Sequence, residues 1–140
     1  MIKKFFFFMA VIVAIFFVVT IGYLKNNSYQ AQTNNQNNVT EMIEKSSKDY
    51  NLVFYKKHCP YCEGAASEVI KGSKSTTVPT FFIDTESKTG HELVEKYHVR
   101  YASTIVRVRN KNVRKMIYAE KIDGKYMARQ DVIKKVFGKE

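Results

Sequence analysis

Cys59-Pro60-Tyr61-Cys62 is the place in this 140-residue chain where residue type and spacing together point to covalent chemistry. Thiols separated by two residues on a helical turn lie one above the other, near enough to close a small ring that opens and re-forms. The apolar run Asn51-Leu52-Val53-Phe54-Tyr55 precedes the pair, and Pro60 suits the first position of a helix. Cys59 is therefore expected at a strand end and a helix amino end, where unpaired N–H groups and the helix dipole favour a thiolate. Lys56 and Lys57 add positive charge, and His58 reads as an electrostatic tuner rather than a base. These features predict Cys59 as the nucleophile and Cys62, one turn later and more buried, as the resolving thiol.

Other uses of the pair fit less well. With two cysteines and no tryptophan, the chain is neither a disulfide-dense scaffold, nor a four-cysteine zinc module, nor an iron–sulfur protein that holds its cluster within one chain. A zinc site would need two more ligands, and the spacing of His91 and His98 is wider than the usual three to five intervening residues. No metal or cofactor is expected. An inert structural disulfide would gain little from so short a loop, because stabilisation grows with the loop closed.

The elements that position the pair begin after an apolar N-terminus. Met1-Ile2-Lys3-Lys4 is followed by an uncharged run from Phe5 to Leu24, which as a helix spans about 30 Å, one hydrocarbon core. Thr20-Ile21-Gly22 is a poor cleavage site, so an uncleaved transmembrane signal anchor over 5–24 is expected. Lys3, Lys4 and the amino terminus outweigh Lys25, which predicts a cytoplasmic stretch 1–4 and a single-pass protein whose remainder is extracytoplasmic. Residues 25–38 are rich in Asn, Gln, Ser and Thr and read as a disordered polar tether. Formal net charge is +10, of which about +7 remains once Lys3, Lys4 and Lys25 are set aside, a basic but not extreme domain.

The outer domain, 39–140, reads as αβαβαββα. Asn38 and Glu41 resemble a helix start, with the helix running to about Asp49. The strand 51–55 is followed by a helix from Pro60 that closes at Gly72. A second strand covers Val78 to Asp84, with Pro79 at its entry. A helix over His91 to Tyr97, a strand over Thr104 to Arg109, a turn at Asn110-Lys111-Asn112 and a strand over Val113 to Ile122 follow. Asp123-Gly124 ends that strand, and an amphipathic helix covers Arg129 to Phe137.

The residues from Val39 onward resemble a thioredoxin-like domain. Leu52 to Cys62 is similar to that family's first core strand and active-site turn, and Pro60-Tyr61 is the dipeptide common in glutaredoxins. Phe81-Phe82-Ile83-Asp84 resembles the next parallel strand. Tyr97 to Val106 is similar to the segment that carries the family's cis-proline. The resemblance implies an α/β protein with a three-layer α/β/α fold around a mixed sheet, here preceded by one transmembrane helix. It also implies Cys59 and Cys62 as catalytic residues supported by Pro60, Tyr61, His58, Lys56 and Lys57, with Ala102, Ser103 and Thr104 as the substrate loop.

Two departures stand out. Ser103 occupies the cis-proline position, so a trans bond is expected there. Val53 replaces the buried acidic residue that assists proton transfer. The implied activity is an extracytoplasmic thiol–disulfide exchange with protein thiols or disulfides, its direction open, with a membrane redox partner if it acts as a reductase. The competing reading is a non-enzymatic accessory subunit of a secretion, bacteriocin or conjugation system, as in similar anchored bacterial proteins. The basic residues Arg100, Arg107, Arg109, Lys111, Arg114 and Lys115 read first as a solvated hairpin edge and second as a contact for anionic lipids, wall polymers or an acidic partner. Nothing resembles a nucleic-acid-binding motif, so nucleic acid is not an expected partner.

Overall fold

A computed structural model describes residues 2–26, 28–33, 38–46 and 48–138. The helix α1 (Ile2–Asn26) carries exposed apolar side chains throughout its described part, Phe6 to Gly22. Among the described residues no helix is long and apolar enough to cross a membrane. The uncharged run Phe5 to Leu24 extends beyond the described side chains at both ends.

The sheet has order β2-β1-β3-β4 and is built on β1 (Tyr50–Tyr55), whose residues 51–55 are all buried. β2 (Thr80–Asp84) runs parallel to β1, β3 (Thr104–Arg109) lies antiparallel on its other side, and β4 (Asn112–Ile117) pairs antiparallel with β3. Alternation along β1 divides the core in two, as the strand repeat of two requires. Leu52 and Phe54 pack with α3 (Val39–Lys45) and α5 (Lys88–Tyr97) through Val39, Ile43, Leu93 and Tyr97. Val53 and Tyr55 pack on the opposite face with α4 (Pro60–Ser75) and α6 (Gln130–Phe137) through Ala65, Val69, Val132 and Phe137. The expected three-layer α/β/α arrangement around a mixed sheet follows.

Several boundaries differ from those read in the sequence. α4 does not close at Gly72 but runs to Ser75, and Gly72 is buried where a Cβ would strike the Phe137 ring. The glycine there permits close packing. α3 ends at Lys45, short of Asp49, and Asn38 makes no side-chain cap. Glu41 instead pairs with Lys45 one turn on. β2 starts after Pro79, whose carbonyl accepts the Asn51 N–H at 2.8 Å, so the proline stands at the strand entry and donates nothing to the ladder.

The predicted strand Val113 to Ile122 is two strands, β4 and β5 (Ala119–Ile122), interrupted at Tyr118. Tyr118 directs its N–H to Ser103 at 2.9 Å and receives Arg129 N–H at 2.8 Å, leaving the ladder on both sides. Asp123-Gly124 ends β5, as expected, but another strand follows it. It is a hairpin turn with left-handed φ at both residues, 48° and 79°, joining β5 to β6 (Lys125–Ala128) as a separate two-stranded sheet.

The composition of 25–38 predicts disorder, yet Tyr29–Gln32 forms a helical turn, α2, whose Tyr29 is buried in the core. One aromatic residue supplies what the polar neighbours lack, an apolar ring to bury. Thr33 accompanies it, its hydroxyl 2.8 Å from that of Tyr55. The run 34–37 lies outside the described residues.

Candidate active site

β1 delivers the chain to the site and α4 carries it away. Between them the turn is held by His58, which takes a left-handed φ of 57° that a β-carbon disfavours and that is common where function fixes the backbone. Cys59 is then the N-cap of α4 with Pro60 at the first helical position, as the sequence predicts. Cys62 donates to the Cys59 sulfur twice, from its backbone N–H at 3.3 Å and from its thiol at 2.8 Å. Both cysteines are free. Cys59 is partly accessible, whereas Cys62 has no exposed surface. The two sulfurs are thus unequally exposed, Cys59 in front and Cys62 behind it.

Burial pushes the Cys62 thiol up to about 12, and the bond to Cys59 acts in the same direction. A Tyr118 interaction and the Lys56 backbone oppose it. Cys62 therefore stays protonated until something draws it into reaction.

The predicted supporting residues fall into three groups. Lys56, Lys57 and His58 line one cavity of about 400 Å³ with Cys62, Glu63 and the α2 segment. Lys56 pairs with Glu86 at 3.3 Å and Lys57 with the buried carboxylate of Asp84 at 3.4 Å, so both ammonium groups are partly neutralised. Tyr61 does not line that cavity and stacks edge-on against Tyr126 of β6 at 4.7 Å. Ala102 faces a neighbouring cavity shared with Lys56 and His91. Ser103 and Thr104 are buried. No peptide bond among the described residues is cis, consistent with Ser103 in place of proline. The loop's backbone is occupied internally: the Ala102 carbonyl accepts Thr104 N–H at 2.8 Å, and the Ser103 carbonyl accepts Tyr118 N–H.

Three neighbours of the site were not anticipated from sequence. Val53 is buried as expected of its apolar side chain, and Tyr29 and Tyr118 join it and Cys62 in one cluster. The third is the β5–β6 hairpin, which packs β6 on α4 at Gly64, where a Cβ would meet the Tyr126 carbonyl. The signals were present: Tyr29 is the sole aromatic residue between Lys25 and Asn38, and Asp-Gly is a strong hairpin dipeptide. Of the basic stretch, Arg109 is committed to structure, donating to the Tyr50 carbonyl at 3.1 Å and the Asn51 side chain at 3.0 Å. Arg114 and Lys115 lie on β4, the exposed edge strand. Among the described residues no group of three or more His, Cys, Asp or Glu side chains gathers as metal ligands would.

No protein-family model matches the chain, and no curated protein matches it. Among solved structures, it is similar to Chlamydomonas reinhardtii thioredoxin f2, with a TM-score of 0.53 and 20% identity over 75% of this chain and 94% of that one. It is also similar to a malarial protein, with a TM-score of 0.44 and 22% identity over 51% of this chain and 81% of the other. The likeness to thioredoxin f2, together with the sheet order and the helix layers, establishes a thioredoxin-like α/β fold.

Proposed function

We propose that the chain is a thiol–disulfide oxidoreductase, membrane-anchored by 5–24, that exchanges its Cys59–Cys62 couple with protein clients outside the cytoplasm. The observation that carries the chemical part is the pair of donors, the Cys62 N–H and thiol, converging on the Cys59 sulfur at a helix N-terminus. Such donors stabilise negative charge on that sulfur, in its thiolate and as a leaving group.

In the reducing direction, the Cys59 thiolate attacks one sulfur of a client disulfide. A Cys59–client bond forms, and the other client sulfur departs as a thiolate that takes up a proton. Cys62 then gives up its proton and attacks the Cys59 sulfur. The Cys59–Cys62 bond forms, the client bond breaks, and the second client sulfur leaves with the electron pair and is protonated. Two electrons pass from dithiol to client. The oxidising direction reverses each step, and the redox state of the compartment and any membrane redox partner set which predominates.

The anchor rests on the uncharged run Phe5 to Leu24 and the flanking lysines. An accessory subunit without turnover is the second reading, favoured by the loop at Ala102 and Ser103, whose carbonyls are already engaged within the chain.

Trapping tests both. A Cys62→Ser chain, which cannot resolve, should accumulate a mixed disulfide through Cys59 with its client, and Cys59→Ser should abolish it. Absence of any Cys59-dependent adduct, with unchanged cellular function of Cys59→Ser, would favour the accessory subunit. Protease treatment of intact cells tests the topology: the domain should be degraded from outside while the chain stays in the membrane fraction after alkaline extraction.

A further inference from the structure

The Tyr29 ring sits at 5.0 Å from Tyr55, 5.6 Å from Phe82 and, edge-on, 6.3 Å from Tyr118. These contacts account for the burial of the ring. They do not account for its hydroxyl, which is buried and interacts with Tyr118 but makes no hydrogen bond of full geometry with any described residue, a condition native cores rarely tolerate without a reason. A phenylalanine would fill the same space with no polar group to desolvate.

The groups around that hydroxyl are those of the active site. Tyr118, Cys62 and Cys59 are its electrostatic neighbours. Tyr118 interacts with both Tyr29 and Cys62, while its own proton is committed to the Phe54 carbonyl at 3.1 Å. In the dithiol state the Cys62 proton is likewise committed, to Cys59. Tyr29 thus holds the one hydroxyl of the three groups whose proton makes no well-formed hydrogen bond, in the cluster where Cys62 must become negative during resolution.

Few other groups face Cys62. Tyr118 lies at the β4–β5 junction and Cys59 and the Lys56 backbone at the β1–α4 turn, while Lys57, His58 and Glu63 share the cavity beside it. Val53 on β1 is apolar and fully buried in the same cluster as Tyr29, Tyr118 and Cys62, so the ionisable side chains near Cys62 lie at the cavity rather than in this part of the core.

We propose that Tyr29 is a positioning residue for Cys62: its hydroxyl donates into the Tyr118–Cys62 pair as charge develops on the Cys62 sulfur, so that the segment following the apolar helix completes the active site. The kinetic consequence rests on the oxidoreductase reading, but the effect on the Cys62 thiol does not.

The test uses full-length protein in lipid nanodiscs with Cys59→Ser, which leaves Cys62 as the sole thiol. Its alkylation by iodoacetamide is followed from pH 7 to 10 with Tyr29 intact, with Tyr29→Phe and with Tyr29→Ala. Loss of one hydrogen bond to a charged sulfur should slow Tyr29→Phe roughly three- to tenfold at fixed pH and move its profile to higher pH. Tyr29→Ala, which opens the cavity, should react faster than Tyr29→Phe. Equal rates and profiles for Tyr29→Phe and the parent would overturn the proposal and leave only a packing role for the ring. Tyr118→Phe provides a second measure: if Tyr29 acts through Tyr118, adding Tyr29→Phe to it changes the rate no further, and additive effects would refute that route. A Cys62→Ser chain that traps no client through Cys59, together with a Cys62 that slows on Tyr29→Phe in the Cys59→Ser chain, would sink the oxidoreductase reading and keep this one.

Discussion

The Tyr118 hydroxyl donates to the Phe54 carbonyl at 3.1 Å, tying the break between β4 and β5 to the central strand beside the active-site turn. Its backbone is equally committed, to Ser103 and Arg129. Tyr118→Phe keeps the ring and removes one buried bond, so stability should fall by about 1 kcal/mol. Tyr118→Ala also empties a fully buried site and should cost about 3–5 kcal/mol. Urea unfolding of the two variants separates the hydroxyl from the ring; a Phe variant as unstable as the Ala variant would mean that the bond, rather than packing, holds this junction.

Local signals foretold most of the fold, and long-range ones were what the sequence concealed. The runs at Leu52 to Tyr55 and Phe81 to Asp84 are apolar enough to be strands buried on both faces, and the CxxC pair with Pro60 marks its own helix start. Tyr118 breaks a continuous strand pattern because its backbone partners, Ser103 and Arg129, come from elsewhere in the chain. Tyr29 is buried because a pocket formed by Tyr55, Phe82 and Tyr118 receives it, and no residue beside it in sequence announces that pocket. At the site, the greater burial of Cys62 was legible from helix geometry. The tyrosines that gather around Cys62 were not, because they come from separate segments of the chain.

Gly64 lies against the Tyr126 backbone, and an alanine Cβ there would overlap the Tyr126 carbonyl. Because the obstacle is backbone, β6 must move away from α4. Alanine's better helix propensity, about 1 kcal/mol, acts in the opposite sense. Overpacking at a contact of this kind costs about 1–3 kcal/mol, so Gly64→Ala should be net destabilising and should loosen the Tyr61–Tyr126 ring pair. A raised melting temperature would show that the hairpin adapts freely.

The Cys62 thiol, lifted by burial from 9.0 to about 12, makes the reduced protein alkali-sensitive. The folded state favours the protonated thiol, so its contribution is complete below pH 9 and declines as pH rises toward 12. Tyr29, Tyr97 and Tyr118 are also raised by burial and add to the decline only above 10. Urea midpoints of the reduced protein should therefore fall between pH 9 and 10, and Cys62→Ala should flatten that interval. An unchanged slope in Cys62→Ala would place the titration elsewhere.

Lys57 reaches the Asp84 carboxylate at 3.4 Å, but that carboxylate, nearly buried, also accepts the Glu86 N–H at 3.0 Å. The two partners differ in environment: the lysine is 51% exposed and the aspartate side chain 10%. An exposed cation gains little from such a pair, typically below about 1 kcal/mol, and that gain weakens with salt. The amide bond to Asp84 is shielded and holds the turn that leads into α5. Lys57→Ala should thus lower stability by less than about 1 kcal/mol, an effect that fades in high salt. Asp84→Ala should cost about 1–3 kcal/mol at any ionic strength, through the amide it leaves unbonded. A double-mutant cycle should give a coupling of less than about 1 kcal/mol. A coupling well above that, insensitive to salt, would mean that Lys57 is fixed on Asp84, and its charge would then be withheld from the cavity it shares with Cys62.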